Sequence, residues 1–299
     1  MTREMGLRIE VAVKCAPIRR SALSRSSICC SGPSSLCATS MLRRGRRRDA
    51  NHLLRTTMNV TTSDDFIGVQ SQHPWSKAFI VLGYRDGSFS TIPNNFFRDW
   101  LDEEAKVGTF SIGKGSGIGV GSIAKYDAGL QKLVVGKFVA GGLRLKFLLN
   151  GQHDMRTISM SMFSGFGSGL NNVPPPQYSD TVIHNDVWIG DEAMFLGGST
   201  IENGCVIGAR TLVPPNFKSE SYGIYVGSPA RLVRFRFSER IREKLLELAW
   251  WDMPLPWVKK YNDLFLVDLT ADEGRSMEIL TELLRAKGES VEAMVATKT

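Results

Sequence analysis

Cysteine and histidine are both scarce where a core would form. The chain has 299 residues, of which five are Cys and four are His. Cys15, Cys29, Cys30 and Cys37 fall in the first 57 residues, leaving Cys205 alone in the rest. A body with one thiol cannot form an internal disulfide, which suits a reducing compartment; a cytoplasmic location is expected. After Thr57 the only imidazoles are His73, His153 and His184. A zinc centre with three His ligands, two of them close together on one coil, is excluded on inventory, and no metal is expected. No apolar run approaches the ~18 residues that a membrane-spanning helix needs, so no membrane partner is expected.

A charge excess is also missing from the body. The net +7 of the whole chain arises between Met1 and Thr57, where twelve Lys/Arg face three acids. Beyond that, 25 basic residues meet 27 acidic ones, too even a balance to attract a nucleic acid. The arm 1–57 is Ser- and Arg-rich, poor in acids and without period, so it is expected to be disordered. Its composition is that of a transit segment. The simpler reading is translation upstream of a start at Met58. Either way it contributes nothing to the core.

Alternation in twos and threes is absent from "TVIHNDVWIGDEAMFLGGSTIENGCVIGARTLV" (181–213); the chain counts in sixes instead. Ile183, Ile189, Phe195, Ile201, Ile207 and Val213 share one register. Four residues after each of the first five stand Val187, Ala193, Ser199, Cys205 and Thr211, all small or β-branched. Such a repeat fits short extended segments joined by sharp bends, three per coil of about eighteen residues. The aliphatic residue points inward, the small one fills the corner, and Gly, Asn or Asp take the bends. Cys205, in a small inward slot, reads as core and not as a nucleophile. Weaker repeats precede this run: Ile112 with Ile118, and Val135 with Phe147, the latter pair flanking Gly141 in the aliphatic slot.

Between 149 and 181 the repeat stops, and Met and Phe mix with Gly, Ser and three consecutive prolines. An excursion of this length inside a compact domain is usually functional. Its apolar residues call for a surface to lie on, such as a neighbouring subunit. Residues 58–106 form an N-terminal extension with a hairpin in "AFIVLGYRDGSFSTI" and a short helix in "FFRDWLDEEAK". The coiled domain spans 107–236 and helices fill 237–299. One helix starts at Ser238 and stops before Pro254; the last runs from the capping pattern Thr270–Glu273 to Gly288. Helices there would cover the open edge of the coil.

"NDVWIG" within the six-residue register, then "VGSPARLVRFRF" and "LELAWWDMPLPWV", resembles the hexapeptide-repeat xenobiotic acetyltransferases, which include the hexapeptide-type chloramphenicol and streptogramin acetyltransferases. The likeness runs from about Val135 to Trp257. It implies a left-handed parallel β-helix, a homotrimer with sites between subunits, and acetyl-CoA as co-substrate. The excursion carrying "NGQHD" matches the family's place for a catalytic His, here His153, whose imidazole would take the proton of an acceptor hydroxyl. The resemblance also places Trp188 beside the acetyl-CoA channel, with Gly208 and Ala209 offering close backbone approach to the pantetheine arm. Arg231, where the family has Lys, would meet coenzyme phosphate. His184 stands where the family usually has Gly. The bland reading of Arg231, Arg234 and Arg236 is a solvated basic face. The expected activity is O-acetylation of a small chloramphenicol- or streptogramin-like acceptor by direct attack on the thioester. A sugar or polysaccharide O-acetyltransferase and a non-catalytic assembly platform are the alternatives on the same scaffold.

Overall fold

The computed structural model describes residues 8–12, 55–61, 65–98, 109–125, 131–161, 163–166, 169 and 177–296. The chain divides into one unit of Met1–Ile9 with Met58–Thr299 and a second of Glu10–Thr57. Most of the arm for which disorder is expected lies outside the described residues. All that follows concerns the first unit.

Its centre is three parallel sheets visited in turn. The first takes strands Thr109–Ile112, Lys132–Val135, Thr181–Ile183 and Thr200–Ile201; the second takes Ala140–Gly141, Trp188–Ile189, Val206–Ile207 and Gly223–Val226. The third takes Phe97–Arg98, Ile123–Lys125, Lys146–Leu148, Met194–Leu196 and Leu212–Val213. Ile183 lies opposite Ile201, Ile189 opposite Ile207, and Phe195 opposite Val213. One circuit of all three sheets therefore takes eighteen residues, and the register of six is one sheet's share.

All six of those residues are buried, as are Val187, Ala193, Ser199, Cys205 and Thr211 at the corners. Burying each large aliphatic or aromatic side chain stabilises the coil by about 1.5–3 kcal/mol. Phe147 and Phe195 stack with ring centroids 5.0 Å apart, which continues the core from coil to coil. Gly141 leaves its slot open for a neighbour: a Cβ there would lie 3.2 Å from Leu145 Cδ1, and Leu145 is itself fully buried. Glycine at 141 thus admits the Gly117 carbonyl, whose oxygen a Cβ would approach to 2.8 Å, as well as the side chain four residues on.

Departures from eighteen mark the insertions. Ile112 pairs with Val135, so that circuit is five residues longer than eighteen. Val135 pairs with Ile183, because the excursion is spliced into that circuit between the third and first sheets. The bends are not confined to Gly, Asn and Asp. Arg144, Glu192 and Arg210 all adopt left-handed backbone at one corner, φ 55°, 63° and 59°. Glu192 compensates by accepting from Arg144 at 2.8 Å and from Arg210 at 2.7 Å, a ladder up the corner.

Both ends of the second sheet are covered. The hairpin Phe79–Tyr84/Phe89–Pro93 joins it through Thr91, whose amide donates to Ser116 O and whose carbonyl accepts from the Ile118 amide. At the far end Arg231–Phe235 pairs antiparallel with Gly223–Val226. Four helices follow: α1 (Glu239–Leu248), α2 (Leu255–Lys260), α3 (Asn262–Phe265) and α4 (Glu273–Ala296). Ile241, Leu245 and Leu248 of α1 pack with Ile279, Leu280 and Leu283 of α4 and with Trp257.

Two expectations need correction. Phe97–Arg98 is a strand paired with Ala124–Lys125, so the helix expected over 96–106 does not begin there; residues 99–106 lie outside the described residues. The last helix is capped by Asp272, whose carboxylate accepts from the Arg275 amide, while Thr270 turns back onto Asp268. It also passes through Gly288, which costs ~1 kcal/mol relative to Ala. An Arg285–Glu289 pair spans that glycine, and Lys287 Nζ donates to the Leu248 carbonyl at the end of α1.

Candidate functional site

The excursion leaves the third sheet after Leu148 and rejoins the first at Thr181. His153 is exposed on it, and Nδ1 lies 2.5 Å from the Met160 carbonyl oxygen. A carbonyl only accepts, so Nδ1 carries a proton, and in the neutral ring the lone pair is on Nε2. Asp154 does not serve this ring. Its carboxylate takes two bonds from the Arg156 guanidinium (2.9 and 2.7 Å) and one from the Arg156 amide. Those bonds hold its carboxyl down at about 2 and pin the turn in which His153 sits.

Gly208, Ala209 and Arg231 gather at the corner between the second and third sheets. The Gly208 amide donates to the Tyr225 carbonyl, and Val226 lies opposite Arg231. Ala209 crosses directly over Gly190, where a Cβ would strike the Ala209 amide nitrogen. Arg231 is exposed; within the chain its guanidinium donates only to the Ala230 carbonyl among the described residues. Arg144 and Arg210 share the Glu192 carboxylate here and Asp191 caps the Leu143 amide, so with Arg231 three guanidiniums meet two carboxylates and the corner is net positive by one charge. A positive corner with bare backbone fits the phosphates and amide arm of coenzyme A. Trp188 stands on the outer face of the second sheet, 60% exposed, one residue before inward Ile189. Gly208, Ala209 and Arg231 thus share one corner, Trp188 stands on the outer face of the second sheet, and His153 lies on the excursion that leaves after the third sheet.

The remaining candidates have plain structural roles. Cys205 is fully buried, with Sγ 3.0 Å from the Glu220 carbonyl oxygen, and burial pushes its thiol up. His184 Nε2 lies 3.9 Å from Glu202 at a bend. No group of three potential ligands that could hold a metal occurs among the described residues. Arg236 corrects the view of a solvated basic face. Its guanidinium donates to the Gly204 carbonyl (2.8 Å) and Asp186 (3.4 Å) and lies over the Tyr222 and Phe237 rings. Burial raises the Asp186 carboxyl, and Arg236 opposes that rise.

A buried ionic cluster was not foreseeable from the chain. Lys114 lies at a bend, its Nζ 2.9 Å from Asp86 of the hairpin turn and 3.7 Å from Asp65. It also donates to the Met253 carbonyl (3.3 Å), while the Leu255 amide donates to Asp86. Burial alone would raise the Asp86 carboxyl. The Ser88 hydroxyl and amide, Lys114 and the Leu255 amide outweigh that and hold it at about 2. Partners 28 and 139 residues away in the chain leave no local signal.

The signature described as "Bacterial transferase hexapeptide (six repeats)" matches residues 180–215. A probable macrolide acetyltransferase of Lysinibacillus sphaericus is 41% identical over 128 residues, 41% of this chain and 70% of that protein. A chloramphenicol acetyltransferase of Agrobacterium fabrum is 34% identical over 177 residues, 53% of this chain and 83% of that one. The chloramphenicol acetyltransferase of Escherichia coli is 38% identical over 139 residues, 44% of this chain and 64% of its own length. Among solved structures, an N-acyltransferase of Bacillus cereus with dTDP and coenzyme A is 18% identical, with TM-score 0.36, covering 63% of this chain and 99% of that one. A hexapeptide-repeat acetyltransferase of Vibrio cholerae with acetyl coenzyme A is also 18% identical, with TM-score 0.29, covering 48% and 66%. Stacked parallel strands on a repeat of six, with acetyltransferases at 34–41% identity among the relatives, define an acyltransferase. The chain belongs to the hexapeptide-repeat xenobiotic acetyltransferases.

Proposed function

We propose that this chain transfers the acetyl group of acetyl-CoA to a hydroxyl of a small chloramphenicol- or streptogramin-like acceptor. The coil would wind left-handed and three copies would assemble, with His153 of one chain serving a coenzyme held by another. The observation that carries this reading is the Nδ1 contact to Met160 O, which leaves Nε2 free as a base on an exposed excursion. In the reaction, the acceptor oxygen bonds to the acetyl carbon as its proton passes to Nε2. Backbone amides would receive the oxyanion, the C–S bond breaks, and the proton returns from the imidazolium to the coenzyme thiolate. Trp188, Gly208, Ala209 and Arg231 would hold the coenzyme. Names of relatives support the acceptor class: two act on chloramphenicol and one is a probable macrolide acetyltransferase.

The test is thiol release from acetyl-CoA with chloramphenicol, streptogramin A and simple sugars in parallel. Acetylated antibiotic as product is the expected result. Release with sugars alone would move the acceptor to carbohydrate, and release with none would sink the proposal.

A further inference from the structure

The excursion has no ladder to hold its backbone around His153. Residues 150–160 belong to no strand or helix, so their peptide planes keep a fixed orientation only where side chains hold them. The stretch "TISMS" (157–161) places a hydroxyl at every second position. Such short hydroxyls bond to nearby main chain in place of a ladder.

Two of them act on successive peptide planes. Thr157 Oγ1 lies 2.8 Å from the Ser159 carbonyl oxygen and 3.2 Å from that of Asp154. Its one proton serves one carbonyl at a time, and Ser159 is the nearer. That carbonyl belongs to the plane joining Ser159 to Met160. The next plane carries the Met160 carbonyl on one edge and the Ser161 amide on the other, fixed to each other by the planar peptide bond. On the amide edge, Ser161 donates to Ser159 Oγ at 3.1 Å. On the carbonyl edge, Met160 O accepts from His153 Nδ1 at 2.5 Å. Turning this plane away from Ser159 Oγ would therefore carry the carbonyl off the imidazole. No other hydrogen bond holds that ring among the described residues.

We infer that Thr157 and Ser159 are positioning residues, acting on His153 through the Met160 carbonyl. The consequence rests on the acetyl-transfer reading. With its proton held on Nδ1, the neutral ring is a base at Nε2; a ring released from Met160 O puts the proton on either nitrogen. The form protonated at Nε2 cannot take the proton of an acceptor hydroxyl there. A neutral hydrogen bond shifts such an equilibrium by about two- to tenfold.

The test is nitrogen-15 spectroscopy of the histidine rings in the full chain, at an alkaline pH where imidazole is neutral, with the His153 signals assigned by their loss in His153→Ala. Wild type should show the proton on Nδ1. Ser159→Ala and Thr157→Val should show mixed tautomers and turnover lower by about two- to tenfold, with the KM for acetyl-CoA and the melting temperature unchanged. Ser159→Thr and Thr157→Ser keep the hydroxyl and should restore both the spectrum and the turnover. A wild-type tautomer in both hydroxyl-free variants overturns the inference, whatever their turnover. Mixed tautomers with full turnover would retain the positioning and remove His153 as the base. If wild type releases no thiol with any acceptor, the acetyl-transfer reading falls while the ring spectra still decide the positioning.

Discussion

At the scale of single residues, His153 and Gly190 make opposite demands on their surroundings. His153 is exposed and held by one contact to Met160 O, so the fold has little stake in it. Surface substitutions cost within ~0.5 kcal/mol, and His153→Ala should keep the wild-type thermal transition. If Nε2 is the base, turnover should fall by about 10²–10⁴-fold with acetyl-CoA affinity unchanged, as measured by thiol release and titration. A folded variant with near-normal turnover refutes the role. Gly190 is the converse, a position where one methyl group matters because the Ala209 backbone occupies its space. Gly190→Ala should displace Ala209 and lower both melting temperature and acetyl-CoA affinity. Coenzyme affinity that survives a measured drop in melting temperature would remove Ala209 from the binding edge.

Secondary elements show what sequence could and could not convey. The coil from Ile183 to Val213 was legible because each inward residue is set by its own place in a count of six. The excursion was legible as the place where that count fails. Hidden from the sequence were contacts whose partners lie far apart: Lys114 with Asp86 and Met253, Arg236 with Asp186, and the hairpin joined to the second sheet by Thr91. The last helix outran Gly288 because tertiary packing of α4 on α1 offsets a local penalty. The Lys114 cluster fastens three such elements, which makes its loss costly. Lys114→Met should destabilise the fold by about 3–5 kcal/mol, since the buried Asp86 carboxylate loses its cation. The sign of the pH dependence follows from Asp86, whose folded value of about 2 is below its ordinary 3.8. Its contribution is fully present above the ordinary value and is lost as pH falls toward about 2. Chemical denaturation of both proteins should show the gap between them shrinking from pH 5 to pH 2. A gap that stays constant would mean that Asp86 and Lys114 are not coupled.

For the molecule as a whole, the excursion exposes more apolar surface than one chain can use. Met155, Ile158 and Phe166 are more than three-quarters exposed, and Ile158 fully so, on a segment that carries the proposed base. Patches of this kind on a soluble protein mark interaction surfaces. The proposed coenzyme edge lies at the corner between the second and third sheets, whereas the excursion that carries His153 leaves between the third and the first. A symmetric assembly satisfies both needs: each excursion covers its apolar tip on the next copy and delivers His153 to that copy's coenzyme edge. Light scattering should then give three times the 33.1 kDa chain mass at micromolar concentration. Paired substitution Ile158→Asp and Phe166→Asp places two carboxylates in the contact and should yield monomers that lose turnover. The thermal transition of the coil should remain, because neither side chain is part of its core. Mixing that double variant with a variant defective only at the coenzyme edge, such as Arg231→Ala, provides the decisive arm. A site shared between chains predicts partial recovery, since the intact excursion of the Arg231→Ala chain can reach the intact coenzyme edge of the double variant. A wild type that is already monomeric, or a monomeric double variant with normal turnover, would show that one chain holds the complete site.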